Sequence, residues 1–379
     1  MILLRKELAE LEAVLPGLAK QLAESSWDDA ENAGSGAIEA FRAAGGAGLF
    51  IERGLGGRGA TLATGVRVQR AIGALCPSLA VASTMHHFSI ATLNALAARG
   101  QGLENLLLQA IATDRLLMAS GFAEGRTGAS ILSATVTATR DGTDYLVTGS
   151  KKPCSLAKSM SMLSASARTV DSGGRQTGLA VVLVPADSPG VSVRKFWRAP
   201  VLAGAQSEEV VLESVRVPEN LVVELDSKNL DFTQKVGFIW FETLISAAYL
   251  GMATRLVDLC VEQNRGGAGE IGSAACAVEA AALSLAGVAG WYDSGAGADE
   301  PELERGLAAA LMARYAIQDS ICQAVQTATE LLGGGAFIKD SRVGYLSTAI
   351  RALAFHPPSR SSMAAPLISY LRGKQLEVP

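Results

Sequence analysis

Residues 208–218 read Glu-Glu-Val-Val-Leu-Glu-Ser-Val-Arg-Val-Pro. Val210 to Val217 alternate well enough to predict a strand with one buried face. Four other stretches share this character: ATVTAT at 134–139, DYLVTG at 144–149, LAVVLVP at 179–185 and VSVRKF at 191–196. All are short and rich in β-branched residues, and Asp141-Gly142 and Pro189-Gly190 supply turns between them. Residues 119–226 are therefore expected to form an all-β domain, a small barrel or sandwich.

On either side the apolar residues follow a different period. In residues 1–118, Leu3, Leu4, Leu8, Leu11, Leu15 and Leu18 recur at helical spacing. Glycines at 45, 46 and 48, then at 54, 56, 57 and 59, break this region into loops. Helical character returns from Ala60 to Ala98, with Pro77 marking a start or a break. In residues 227–379, Ala/Leu-rich stretches run over Val236–Gln263, Ala274–Ala289, Leu303–Leu332 and Ser341–Arg372. Four such stretches with short links predict an antiparallel four-helix bundle. The expected class is multidomain α+β: a helical domain, a β domain, then the bundle.

Composition narrows the function. A chain of 379 residues is too long for one ordinary core, and its 49% hydrophobic content can fill several. With a net charge of −4 and only 5% aromatic residues, it lacks the basic footprint and stacking platforms of a nucleic-acid binder. The five cysteines, Cys76, Cys154, Cys260, Cys276 and Cys322, are odd in number and form no CxxC pair. No disulfide framework or metal site is expected, and the chain is expected in a reducing cytoplasm. The N-terminal stretch reads as an amphipathic helix rather than a signal peptide, and no uninterrupted apolar run of about 18 residues predicts a membrane span.

Five segments, in order along the chain, resemble the acyl-CoA dehydrogenase family. Glu52–Gly59 (ERGLGGRG) is similar to the family's PEEYGGLG loop. Ala123–Ser130 (AEGRTGAS) stands where the family has TEPGAGSD, and Asp144–Lys151 (DYLVTGSK) follows as DEYVLNGxK does. Glu213–Pro218 (ESVRVP) is similar to FEDVRVP, and Glu330–Phe337 (ELLGGGAF) to QxxGGxGF. The resemblance implies a flavoprotein whose flavin lies between the β domain and the bundle. It implies that Phe122 to Ser130, including Ala123, Gly128 and Ala129, lines the flavin, with glycines leaving room for backbone N–H donors. It places Ser155 beside the flavin N5, and it assigns Arg265, Gly333 and Gly334 to a flavin phosphate across a subunit interface. A homo-oligomer, usually a tetramer, follows from that sharing. The chain also departs from the pattern. Pro153 replaces a flavin-contacting Trp, Ala123 and Ala129 lack hydroxyls, Glu330 replaces a Gln, and Arg265 is followed by Gly266-Gly267. The expected cofactor is thus FAD or FMN.

The catalytic glutamate of most members falls on Pro357 in the stretch Leu353-Ala354-Phe355-His356-Pro357-Pro358. Two chemistries remain open. In one, the chain resembles the flavin-dependent monooxygenases of the dibenzothiophene monooxygenase type. His356 and one of His86 and His87 then face the cleft and handle protons, with help from Ser155. Reduced flavin would come from a partner reductase, since no glycine-rich segment sits in a nicotinamide-binding βαβ context. In the other, Glu242 acts as the base that dehydrogenates an acyl thioester, although it lies one helix residue, about 100°, from the matching position. A third, non-catalytic flavin-binding role is also open. Lys151 and Lys152 read as a solvated strand end, Cys154 as packing, and Arg351 and Arg360 as flanking the site.

Overall fold

The computed structural model describes residues 1–100, 103–124, 134–171, 173–224, 227–296 and 300–378. Among the described residues, the first region holds seven α-helices: α1 (Arg5–Val14), α2 (Leu18–Glu24), α3 (Trp27–Glu31), α4 (Ala37–Ala43), α5 (Leu62–Leu75), α6 (Pro77–Ala97) and α7 (Leu103–Asp114). Local chemistry sets their ends. The Ser26 side chain caps α3, the Thr61 hydroxyl caps α5 by accepting from the Thr64 N–H, and Pro77 opens α6, where no N–H is needed.

The middle region is β1 (Met118–Gly121), β2 (Thr137–Asp141), β3 (Asp144–Cys154), β4 (Met162–Val170), β5 (Gln176–Pro185), β6 (Val191–Arg194), β7 (Glu208–Pro218) and β8 (Val222–Glu224). They form one sheet in the order β6-β7-β3-β2-β4-β5-β8, with β1 added in parallel to β4. Val210, Leu212, Val215 and Val217 of β7 are buried while Glu213 and Arg216 are exposed, but Val211 is buried too and a bulge at Ser214 (φ 52°) shifts the phase, so the strand departs from the simple alternation expected.

The last region is α8 (Ser227–Glu262), α9 (Ala268–Asp293), α10 (Glu300–Lys339), α11 (Ser341–Ala349) and α12 (Arg360–Leu371). The expected fourth helix over 341–372 is broken: a 3-10 turn spans Ile350–Phe355, and α12 starts afresh with the Ser359 hydroxyl as its cap. Pro357 and Pro358 forbid a continuous ladder there, so His356 sits in a loop rather than on a helix. Gly333 (φ 78°) interrupts α10, where its freedom from a Cβ is needed.

α8 is the central helix. It packs on α5 so closely that a Cβ on Gly73 would stand 2.0 Å from the Ala248 carbonyl oxygen, and one on Gly251 would stand 2.0 Å from the Arg70 carbonyl oxygen. Among the described residues, two helices, Asp231–Glu262 and Ala268–Asp293, are long and apolar enough to cross a bilayer by length and composition alone. The first is packed inside the protein, while the second leaves much of its apolar surface uncovered. The three regions meet at Glu31. Its buried carboxylate accepts from the Ser78 N–H and hydroxyl and from the Tyr345 hydroxyl, and the Tyr345 oxygen accepts from the Leu202 N–H.

Candidate active site

The β side of the site begins where β1 ends. Phe122, Ala123 and Glu124 run beside the end of β3, with Glu124 bridged to Lys152 and the Lys152 N–H donating to the Ala123 carbonyl at 3.3 Å. Lys151 is fully buried, not solvated as expected. It is ion-paired with Glu124, which is 2% exposed, and it donates to the Ser166 hydroxyl at 3.0 Å. Burial pulls the Lys151 ammonium below the ordinary lysine range, against the opposing hold of Glu124. Glu124 also accepts from the N–H and hydroxyl of Thr135. One carboxylate therefore joins both flanks of the 125–133 segment.

Ser155 follows β3 and is buried, its hydroxyl 2.9 Å from that of Ser207. Ser207 was not singled out from the sequence, because a Ser just before a strand carries no pattern of its own. The backbone of Leu156 and Ala157 is stitched to Ala205 and Gln206, which fixes the two hydroxyls side by side. Gln206 is held at φ 55°, and its side-chain oxygen is buried with no partner. Burial pushes the neighbouring Cys154 thiol up to about 12, so it stays a neutral packing group.

The helical side is a chain of rings. Phe122 lies 6.3 Å from Phe88 of α6, Phe88 lies 5.5 Å from Phe241 of α8, and Phe241 lies 5.8 Å from His356. His356 is half-buried, and its Nε2 lies 3.0 Å from the hydroxyl of the buried Tyr249. Loss of water and the nearby Arg314 guanidinium hold its pKa well below the usual imidazole range, so the ring is neutral at pH 7. Its backbone is fixed by Arg314, which is fully buried. Arg314 donates to the carbonyls of Leu353 (3.0 Å), His356 (2.6 Å) and Pro358 (3.2 Å), and to Glu242 Oε2 (2.7 Å).

Other expected site residues lie elsewhere or are already engaged. His86 is corrected to a structural brace: Nε2 lies 2.9 Å from the Ala47 carbonyl, and Nδ1 accepts from the Met118 N–H at 3.0 Å, leaving no free nitrogen. His87 is sealed between the edges of Phe41 and Phe50, with neither ring nitrogen partnered. Glu242 is fully buried against Arg314. Burial raises its pKa to about 7, and the ion pair opposes that rise. Arg360 is held by Asp319 and the Tyr315 carbonyl, so it is not free to take a substrate. Arg265, Gly333 and Gly334 sit away from this cleft, at or near the surface of the bundle, with open space where a Cβ on either glycine would be. Gly128, Ala129 and Ser130 lie outside the described residues.

The donor set on the β side suits an isoalloxazine edge. The Ser155–Ser207 pair spends one hydroxyl proton on itself and keeps one to donate. Gln206 keeps one buried acceptor that nothing fills. A ring with alternating acceptor and N–H positions along one edge would satisfy both, with Phe122 as an apolar wall.

Comparisons with known proteins agree with this architecture. Residues 119–215 match the family model for the acyl-CoA dehydrogenase middle domain. Isobutylamine N-hydroxylase from Streptomyces viridifaciens is 44% identical over 373 residues, covering 97% of each chain. Cyclohexane-1-carbonyl-CoA dehydrogenase from Geobacter metallireducens is 27% identical over 62% of each chain. Among solved structures, the dibenzothiophene monooxygenase TdsC from Paenibacillus sp. A11-2 superposes with a TM-score of 0.82 over 99% of each chain, at 16% identity.

Proposed function

Since this chain belongs to the acyl-CoA dehydrogenase superfamily of flavoproteins and is an oxidoreductase within it, we propose that it is a flavin-dependent monooxygenase that hydroxylates the nitrogen of a small aliphatic amine. One observation carries the reading. The family's base position is Pro357, the adjoining loop residue is a neutral His356, and the buried carboxylate on α8, Glu242, is spent on Arg314. Glu242 is fully buried and already engaged by Arg314, whereas the half-buried His356 is neutral and its ring can accept a hydrogen bond from an amine nitrogen and relay its proton. The 44% identical relative acts, by its name, on an amine nitrogen.

Reduced flavin, when bound, supplies the electrons that activate molecular oxygen. The residues do the rest. The free hydroxyl proton of the Ser155–Ser207 pair would donate to the flavin edge, Gln206 would accept from it, and Phe122 would shield one side. Phe88 and Phe241 offer apolar walls for a short alkyl group and exclude water. His356, its ring oriented by Tyr249, holds or moves the proton. The balance is amine, dioxygen and reduced flavin giving hydroxylamine, water and oxidised flavin. The flavin is FAD or FMN, delivered reduced by a separate reductase in a reducing cytoplasm.

A homo-oligomer, a tetramer in this reading, would cover the uncovered face of α9 and the exposed Phe337 and Ile338 beside Gly333. It would also bring Arg265, Gly333 and Gly334 to a neighbour's flavin.

The test supplies purified protein with a flavin reductase, NADH, air and a panel of short amines. A product heavier by one oxygen, with hydroxylamine reactivity, supports the reading. Anaerobic bleaching of bound flavin by an acyl-CoA, with no amine oxidation, overturns it.

A further inference from the structure

We infer that Arg314 is a positioning residue for His356, acting through the loop carbonyls it binds, and that Glu242 exists to hold that guanidinium in place. This rests on the proposed role of His356.

The geometry is specific. Arg314 has no exposure, yet three of its four hydrogen bonds go to carbonyls within six residues, at 353, 356 and 358. The Pro358 carbonyl also accepts from the Tyr315 hydroxyl at 2.9 Å. The His356 carbonyl has no other donor among the described contacts. A planar guanidinium with five N–H groups can span such a fan of acceptors, and an ammonium cannot. Pro357 and Pro358 contribute no N–H donors, so this turn has little hydrogen bonding of its own to define it. The cation supplies the definition from outside. Without Glu242 it would be an uncompensated buried charge.

Arg314 also acts on the imidazole electrostatically, by opposing its protonation. The other groups around His356 are accounted for. On α8, Glu242 pairs with Arg314 and Tyr249 meets Nε2; on α10, Tyr315 binds Pro358. Arg342 and Tyr345 of α11 are engaged with Asp340 and Glu31, Arg360 of α12 with Asp319, and Arg351 of the loop's own turn is exposed.

The test compares three variants for hydroxylamine formed per flavin oxidised, for the acid limb of the rate profile, and for flavin affinity. Glu242→Gln with Arg314→Gln removes both charges together. It is expected to bind flavin as the parent does, to lose coupling by about tenfold to peroxide release, and to shift the acid limb up by about one pH unit. Arg314→Lys keeps the charge and loses the fan, so coupling falls while the acid limb stays. His356→Ala reports on the underlying reading and should lose coupling outright. Parent-like coupling and an unmoved limb in the double variant would overturn the positioning role alone. Full coupling in Arg314→Lys would overturn the claim that its fan of bonds matters. Full coupling in His356→Ala would overturn the reading beneath both.

Discussion

Lys151→Met tests the β side of the site through a quantity the structure fixes well. The ammonium is 0% exposed and its partner Glu124 is 2% exposed. Removing one member of such a pair strands the other charge out of water, which costs about 3–5 kcal/mol. Removing both charges, in Glu124→Gln with Lys151→Met, leaves no buried ion. Only the Lys151–Ser166 bond and part of the hold on Thr135 are then lost, about 1–2 kcal/mol. The single variant should therefore be less stable than the double, an order that a surface ion pair would not produce. Urea unfolding followed by tryptophan fluorescence and by far-ultraviolet circular dichroism reads both values. Because Glu124 ties down the flanks of residues 125–133, flavin binding should fall with it. A loss of about 1.4 kcal/mol there is a tenfold weaker dissociation constant, read by flavin fluorescence. A single variant within about 0.5 kcal/mol of the parent, the scatter of an ordinary surface substitution, would refute the reasoning. So would a double variant as damaged as the single.

Ser207→Ala removes half of the hydroxyl pair and should weaken flavin binding by about fivefold, close to one neutral hydrogen bond, in a flavin titration. His86 is held neutral with a pKa of about 4 against its ordinary 6.5, so its contribution is complete above pH 6.5 and is lost as pH falls toward 4. That loss is about 3 kcal/mol; unfolding free energies at pH 7 and pH 4 should differ by that much less in His86→Gln. Tyr345→Phe leaves the Leu202 N–H and the Glu31 carboxylate each short of a partner, and should cost about 1–3 kcal/mol in the same unfolding assay. Gly251→Ala forces a methyl group into the Arg70 carbonyl and should destabilise by about 3 kcal/mol as α5 and α8 are pushed apart, visible as a lower thermal midpoint.

The helix–β–helix order was legible because each part depends on periodicity over many residues, whereas the bulge at Ser214 that breaks the Val210–Val217 alternation left no mark in the sequence. The break at residues 350–359 was legible only as Pro357-Pro358, which marks a boundary without showing what holds the loop. Arg314 gave no signal at all: it lies on a helix face like any other, and its importance comes from carbonyls 39 to 44 residues away in sequence. Adjacent histidines cannot be told apart in a sequence, yet His86 is braced by two backbone groups and His87 is sealed among phenylalanines. Lys151 looked solvated because strand ends usually are, and its burial depends on Glu124 being delivered from a separate strand. Ser207 was invisible for the same reason, since its partner Ser155 lies 52 residues earlier. Long-range pairing decides such roles, and composition and spacing do not encode it.

The proposal that His356 serves oxygen chemistry on an amine is tested most directly in a single cuvette. Protein carrying reduced flavin is mixed with air-saturated buffer and isobutylamine, and the hydroxylamine and peroxide are counted against flavin oxidised. Nearly one hydroxylamine per flavin, falling to peroxide alone in His356→Ala, is the expected result. Peroxide alone from the parent with every amine tried, together with flavin bleaching by an acyl-CoA in the absence of air, would contradict it.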